Sequence, residues 1–171
     1  MKMQWTSVIM VAGLLLFGAT AVTGQEATPD SDQEQLIQAF YSAFEAKDAD
    51  AVAAMLTEDV TLVMPFTFSG ATEPDTRFVG HEQVMRYFGS VFTNFAQIRF
   101  VDAEINVSRD GETVFAEATG DFIAAQGDLP YRNVYIIKFQ LRNGQIATIS
   151  EYANPVIYAM TFGAELGTAN Q

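Results

Sequence analysis

The chain has 171 residues, of which 49% are hydrophobic, and a formal net charge of −12 with no cysteine. This length suits one domain of ordinary size. The missing cysteines exclude a disulfide framework, so stability must come from the core. The negative charge makes nucleic acid a poor partner, because its phosphate backbone is also negative. No metal site or other cofactor is expected, since no His, Cys and carboxylate residues show metal-ligand spacing.

Residues 1–24 have the layout of a secretory signal peptide. Lys2 precedes an apolar run over residues 8–17, and small residues follow up to Gly24. The run is shorter than the roughly 20 apolar residues of a membrane span. We therefore expect cleavage and a secreted or periplasmic protein. The alternative is an uncleaved anchor, which would be the only membrane contact that the sequence predicts.

Residues 25–31 are polar, contain a proline and predict a flexible leader to a domain over residues 32–162. Leu36, Phe40 and Phe44 recur at helical spacing and predict a first helix with one apolar stripe. A short second helix is expected to point Val52, Met55 and Leu56 inward and to close at Thr57-Glu58-Asp59.

The middle of the chain predicts a short strand, a loop and a third helix. The strand covers residues 60–64 and ends at Pro65, and residues 66–79 are expected to form an irregular loop rich in turn residues. Gly80 and His81 open the helix, whose apolar stripe is Val84, Phe88, Val91, Phe92 and Phe95.

Four strands are predicted over residues 98–107, 113–123, 131–141 and 145–152, with hairpin turns at Asp110-Gly111 and Asn143-Gly144. A short helix from Val156 and a flexible tail over residues 163–171 complete the chain. Helices followed by an antiparallel run of strands indicate the α+β class, with helices packed on one face of a curved sheet.

Four motifs, in this order, resemble the nuclear-transport-factor-2-like superfamily, which includes ketosteroid isomerase and the SnoaL-like polyketide cyclases. They are Lys47-Asp48-Ala49-Asp50-Ala51, Thr57-Glu58-Asp59-Val60, Phe78-Val79-Gly80-His81-Glu82 and Asn143-Gly144-Gln145-Ile146. The resemblance spans residues 33–160. Asn133-Val134-Tyr135 and Glu151-Tyr152-Ala153-Asn154-Pro155 are further similar to the PhzA/PhzB type.

The resemblance implies a cone-shaped fold, in which a curved antiparallel sheet wraps around the N-terminal helices and encloses a pocket. Such domains often pair through the outer sheet face. Val134 and Ile136 would lie on that face, which is compatible with a homodimer without requiring one.

Glu151 is the first candidate for catalysis. It shares a strand face with Ile149, and the match to the family's last strand places that face toward the pocket. A carboxyl among apolar groups has a raised pKa and can act as a general acid or base near neutral pH. The resemblance points the same way, because PhzA/PhzB-type proteins keep a working glutamate in this motif. The alternative is a rim carboxylate in water.

Asn133 and Tyr135 are the other candidate catalytic residues, because strand alternation turns both toward the interior with Ile137. An amide and a phenol can hydrogen-bond a substrate carbonyl or enolate. The alternative is structural, with Tyr135 bonded to a backbone carbonyl and Asn133 tying a strand end. The predicted ligand-binding residues are Phe40, Tyr41, Met64, Phe88, Phe92, Glu117 and Ile149. For Glu117 a solvated strand face is the favoured alternative.

Two departures separate the chain from ketosteroid isomerase. That family has a general-base aspartate before the proline that ends the first strand, and here Met64 precedes Pro65. Its helix-1 phenol falls at Phe40, next to Tyr41. The steroid-isomerase mechanism is therefore not transferred.

The sequence predicts an exported SnoaL-like domain that binds a small, largely apolar molecule bearing a carbonyl or hydroxyl. It could be an isomerase, a cyclase or a hydrolase that uses Glu151. The alternative is a non-catalytic ligand carrier, or a dimeric interaction module with a vestigial pocket.

Overall fold

The computed structural model describes residues 31–74 and 76–167, so the predicted signal peptide and almost all of the leader lie outside the described residues. The helices are α1 (Asp32–Glu45), α2 (Ala49–Ala54), α3 (His81–Asn94) and α4 (Pro155–Phe162). The strands are β1 (Leu56–Met64), β2 (Thr76–Val79), β3 (Phe95–Gln97), β4 (Phe100–Val107), β5 (Thr113–Ala124), β6 (Pro130–Arg142) and β7 (Gln145–Ala153).

Helix α1 begins with a capping box. The Glu34 amide donates to the Ser31 Oγ atom at 3.3 Å, and the Ser31 amide donates to the Glu34 carboxylate at 2.9 Å. The predicted apolar stripe is confirmed, since Phe40 and Phe44 are buried in the core and the partly buried Leu36 packs against it. The cap and the stripe together orient α1 so that its aromatic side chains face the sheet.

The strands form one curved, open sheet in the order β2-β1-β7-β6-β5-β3, and β4 also pairs with β5. All pairings are antiparallel except β1 with β7, which run parallel. The register of β4 with β5 shifts between Val101 and Glu104, where Asp102 adopts a φ of 54°. Such a bulge bends and twists a strand. The predicted α+β cone, with a sheet wrapped around the N-terminal helices, is confirmed.

The stripe of the third helix was predicted to extend to Phe95, which is wrong because α3 ends at Asn94 and Phe95 begins β3. Two further local predictions are wrong. Residues 57–59 were expected to close the second helix, but β1 begins at Leu56 and contains them. Residues 66–79 were expected to be a loop throughout, but residues 76–79 form β2, where Phe78 pairs with Leu62 of β1. Both errors have one cause: the pairing partner of each segment is distant in sequence, and local turn residues carry no signal of it.

Strand β6 alternates as predicted. Asn133, Tyr135 and Ile137 point into the core, whereas Val134 and Ile136 are 61% and 42% exposed on the outer sheet face. The inner face of the sheet and the aromatic side of the helices therefore enclose the interior. Among the described residues, none of the helices combines the length and the apolar character needed to cross a bilayer.

Candidate functional site

A cavity of about 280 Å³ lies between helices α1 and α3 and the inner face of the sheet. Aromatic rings make up most of its wall. The apolar lining includes Phe40, Phe44, Leu62, Met64, Phe88, Val91, Phe95, Phe100, Phe122, Ile137 and Ile149. Phe66, Phe68 and Tyr158 belong to the same lining and are 57%, 37% and 40% exposed, so the loop after β1 and helix α4 form its mouth.

The inner face of β5 leaves room for the tyrosines of β6. Its buried positions include Ala116, Ala118 and Gly120, which have little or no side chain. A Cβ atom at Gly120 would lie 2.6 Å from the Tyr135 Cε2 atom, closer than carbon atoms tolerate. Glycine is therefore required here for the Tyr135 ring to lie over β5.

Glu151 carries the only carboxyl among the described residues that line the cavity. It lies opposite Ile137 of β6 and two residues after Ile149 on the same strand face. Its side chain is partly exposed because it lies on the wall of the cavity. Burial raises the pKa of Glu151 to about 7, and burial is the only cause, so no described hydrogen bond or cation offsets it.

Four phenols face this carboxyl: Tyr41 from α1, Tyr87 from α3, and Tyr131 and Tyr135 from β6. Burial raises the pKa of each phenol, and the negative charge of Glu151 raises it further. The phenols therefore stay protonated and remain hydrogen-bond donors at physiological pH. The cavity combines a titratable acid with a set of neutral donors.

The hydroxyls of Tyr41 and Tyr131 differ in their partners. Within residues 31–74 and 76–167, the buried Tyr41 hydroxyl has no hydrogen-bond partner. The Tyr131 hydroxyl accepts from the Asn133 Nδ2 atom at 2.6 Å and is also hydrogen-bonded to the Tyr135 hydroxyl. Since buried polar groups are normally partnered, the Tyr41 hydroxyl has capacity that a bound molecule could use.

Asn133 lines the cavity, but its amide is occupied by protein groups. The Nδ2 atom donates to Tyr131 and to the Asn154 carbonyl, and the Oδ1 atom accepts from the Asn154 and Val134 amides. These contacts favour the strand-tying alternative over the catalytic role predicted for Asn133. The residue positions Tyr131 and the end of β7.

The other predicted site residues divide between the cavity and its surroundings. Phe92 packs on Phe44 with ring centroids 4.8 Å apart and lies behind the wall. Glu117 is exposed on the outer face of β5, opposite Glu104 of β4, so its predicted ligand contact is wrong. Strand alternation explains this, because Ala116 and Ala118 take the inward positions. The predicted residues on the cavity lining are Phe40, Tyr41, Met64, Phe88, Asn133, Tyr135, Ile149 and Glu151.

Sequence reasoning missed Tyr87, Tyr131 and the mouth residues. Tyr131 lies two residues before Asn133 on the same strand face, so strand alternation could have found it. Tyr87 lies next to the predicted stripe residue Phe88, and its approach to Glu151 depends on how α3 crosses the sheet. Tyr158 had no local signal, because α4 is apolar along its whole length.

Met64 lines the cavity at the position before Pro65. A thioether there cannot accept a proton, so the departure from ketosteroid isomerase stands in the structure as in the sequence. Within the described part of the chain, no three His, Cys, Asp or Glu side chains are grouped as a metal site would require.

The model of the SnoaL-like domain matches residues 37–149, which is more than half of the chain. The chain belongs to the SnoaL-like family. This SnoaL-like protein is similar to the uncharacterized protein YesE of Bacillus subtilis (strain 168), with 24% identity over 129 residues. That match covers 75% of this chain and 86% of YesE.

Solved structures share the fold of this SnoaL-like protein. A proposed isomerase from Bacillus subtilis superposes with a TM-score of 0.68 at 23% identity, over 79% of this chain and 96% of that one. A phenazine biosynthesis-related protein from Pseudomonas aeruginosa has a TM-score of 0.64 at 14% identity, over 83% and 90% of the two chains. Their likeness confirms the nuclear-transport-factor-2-like cone.

Proposed function

We propose that the cavity binds a largely apolar small molecule bearing a carbonyl or hydroxyl oxygen, and that Glu151 is the acid and base of an isomerisation or cyclisation. One observation carries this proposal: the Glu151 carboxyl is enclosed by aromatic rings and phenols, and its pKa is raised to about 7. Both protonation states are then populated near neutral pH, as general acid–base catalysis requires.

The chemistry follows from the groups that face one another. The Glu151 carboxylate removes a proton from the carbon next to a substrate carbonyl, and the C–H electron pair moves into an enolate. Neutral phenols, with Tyr41 as the unpartnered one, donate hydrogen bonds to the enolate oxygen. The Glu151 carboxylic acid then returns the proton to another carbon of a conjugated enolate. Alternatively, the enolate carbon attacks a second carbonyl and closes a ring, and the Glu151 acid protonates the alkoxide oxygen that this forms.

The similarity in fold to a proposed isomerase supports this proposal at the level of the scaffold. The mechanism itself rests on the cavity, because fold alone does not carry function. The apolar lining and few polar groups are typical of small-molecule sites, and the volume lies near the lower end of their range. A molecule of one or two fused rings suits this space.

A non-catalytic ligand carrier is the second candidate. It is favoured by the presence of a single carboxyl on the described cavity lining and by Met64 in the position where ketosteroid isomerase has its base. A carrier would bind the same apolar molecules without exchanging their protons. The two candidates therefore differ in turnover and not in binding.

Proton exchange into a simple ketone tests both candidates. The full chain is incubated with 1-tetralone in deuterium oxide, and loss of the α-proton signal is followed by NMR. We expect exchange above the buffer rate, increasing with pH through about 7. Glu151→Gln should slow it by about 100-fold or more. Glu117→Gln makes the same change on the exposed outer face and should leave the rate unchanged.

The outcomes separate the candidates. Saturable binding of 1-tetralone without exchange, in the wild type as in Glu151→Gln, would contradict the enzyme and leave the carrier. Exchange that persists in Glu151→Gln would remove Glu151 from the mechanism. A chain that neither binds nor exchanges the ketone would contradict the proposed ligand class.

Export and pairing are separate parts of the proposal. We expect residues 1–24 to be removed on the way to the periplasm or the medium, and intact-mass measurement of the mature protein tests this. The exposed Val134 and Ile136 support a homodimer through the outer sheet face. Sedimentation of the wild type against a Val134→Lys variant tests the pairing, with a smaller species expected for the variant.

A further inference from the structure

We infer that the cavity prefers ligands whose aromatic body carries a protonated amine, with the Glu151 carboxylate as counter-ion. This inference rests on the proposed function, because it concerns a molecule held in the same cavity. It goes further by assigning the charge of the ligand. It also predicts that carboxylate ligands of the same shape are rejected.

The charges around the cavity support a cationic ligand. No Lys, Arg or His is among the described residues that line it, and Glu151 is the only carboxyl there. Once ionised, this carboxylate is paired with no cation and receives no hydrogen bond within residues 31–74 and 76–167, and a buried charge without a partner is costly. A bound ammonium group supplies both the opposite charge and the donors.

The aromatic wall favours the same ligand. The rings of Phe100, Phe122 and Tyr135 form one cluster, with centroid separations of 5.3 Å for Phe100–Phe122 and 5.8 Å for Phe122–Tyr135. A cation over the face of an aromatic ring is attracted by the ring quadrupole, and this attraction is stronger where water is excluded. The aromatic lining therefore adds a second attraction for a cation beside the carboxylate.

The hydrogen-bonding groups also match an ammonium group. It carries only donors, which require acceptor oxygens. The Glu151 carboxylate provides two, and the Tyr41 hydroxyl oxygen is buried on the same lining without a described partner. An alcohol of the same shape can satisfy these acceptors only in part, because it has one donor.

Binding of an amine should depend on pH through Glu151. The ionisable groups that share its cavity are Tyr41 of α1, Tyr87 of α3, Tyr131 and Tyr135 of β6, and Tyr158 of α4. Burial and the Glu151 charge raise the pKa of the first four, so they remain neutral. Amine affinity should therefore rise with pH through about 7, where Glu151 becomes charged.

Three probes of one shape test the inference: 2-naphthylmethylamine, 2-naphthylmethanol and 2-naphthoate. Their affinities for the full chain are measured by calorimetry at about pH 6 and about pH 8, on either side of the Glu151 pKa. At the higher pH we expect the amine to bind about tenfold or more tightly than the alcohol, and the carboxylate to bind weakest. Glu151→Gln should abolish the preference for the amine, and Glu117→Gln should retain it.

High salt distinguishes binding of the amine in the cavity from non-specific attraction of a cation to the surface of an acidic protein. Exposed charges are screened at about 0.5 M salt, whereas a buried pair is screened much less. The amine preference should therefore survive in high salt.

Equal affinities for the amine and the alcohol, unchanged by Glu151→Gln, would overturn the inference and leave the proposed function standing. A preference that disappears in salt, or that Glu151→Gln retains, would also overturn it. Failure of all three probes to bind would overturn both the inference and the proposed ligand class.

Discussion

Asn133 and Asn154 are joined by two hydrogen bonds between one side-chain amide and one backbone residue. The Asn133 Nδ2 atom donates to the Asn154 carbonyl at 3.1 Å, and the Asn154 amide donates to the Asn133 Oδ1 atom at 3.1 Å. The Asn154 side chain in turn accepts from the Val156 amide at 3.0 Å and caps α4. The pair therefore ties β6 to the first turn of the helix at the cavity mouth.

Asn133→Ala should destabilise the protein by about 2–4 kcal/mol, because it removes the buried hydrogen bond to Tyr131 and the two part-buried bonds to the Asn154 backbone. Urea unfolding measures the loss. Asn154→Ala removes the helix cap but keeps the paired backbone groups, so it should cost only about 1 kcal/mol. Equal costs for the two variants would show that the paired amide does not hold the strand end.

Tyr41→Phe should raise the free energy of unfolding by about 1 kcal/mol, because it removes a buried hydroxyl that has no described partner. Tyr131→Phe should lower it by a similar amount, since the Asn133 amide then loses one of its two acceptors and the Tyr135 hydroxyl loses its partner. Chemical denaturation of the two variants gives the comparison. The same sign for both would contradict the partner assignment. A gain in stability with weaker binding of 1-tetralone would assign the Tyr41 hydroxyl to the ligand.

Glu151→Gln should have a pH-dependent effect on stability. The folded-state pKa of Glu151 is raised, so its favourable contribution is complete below the unfolded value near 4.5 and disappears as the pH rises through about 7. Relative to the wild type, the glutamine variant should therefore gain about 2–3 kcal/mol between about pH 5 and about pH 8. Urea unfolding at both pH values measures this gain.

Glu117→Gln is the matched control for that experiment, because it removes one carboxylate from the exposed outer face. It corrects for the change in the overall charge of an acidic protein. A Glu151→Gln effect that is the same at both pH values would show that the carboxyl is solvated.

Local sequence patterns predicted those elements whose signal is contained in one short segment of the chain. Strand alternation turned Tyr135 inward and Val134 outward, and helical spacing identified the buried stripe of α1. Both follow from backbone geometry over a few residues. The fold class could be predicted for the same reason, since each family motif is a run of four or five consecutive residues.

The remaining features depend on residues that are distant in sequence. Strand β2 forms because Phe78 meets Leu62, and the Asn133 amide is occupied because Asn154 returns to it after a hairpin. Glu117 was mistaken for a cavity residue, although alternation on its own strand places it outside. The sequence therefore predicts an element and which of its faces is buried, whereas it does not predict the hydrogen-bond partner of a buried polar group.

Gly120→Ala tests whether the Tyr135 ring lies against β5. The added methyl group would meet the ring at 2.6 Å and the Phe122 ring at 3.1 Å, so the tyrosine must move or the strand must shift. Overpacking of this kind costs about 1–3 kcal/mol.

Gly89→Ala is the control, because a Cβ atom there meets nothing within 4 Å and alanine favours the helix by about 1 kcal/mol. Gly120→Ala should cost less in a Tyr135→Val background than in the wild type, because the two sites are in contact. If Gly120→Ala unfolds at the same urea concentration as the wild type, the Tyr135 ring does not occupy this position over the strand.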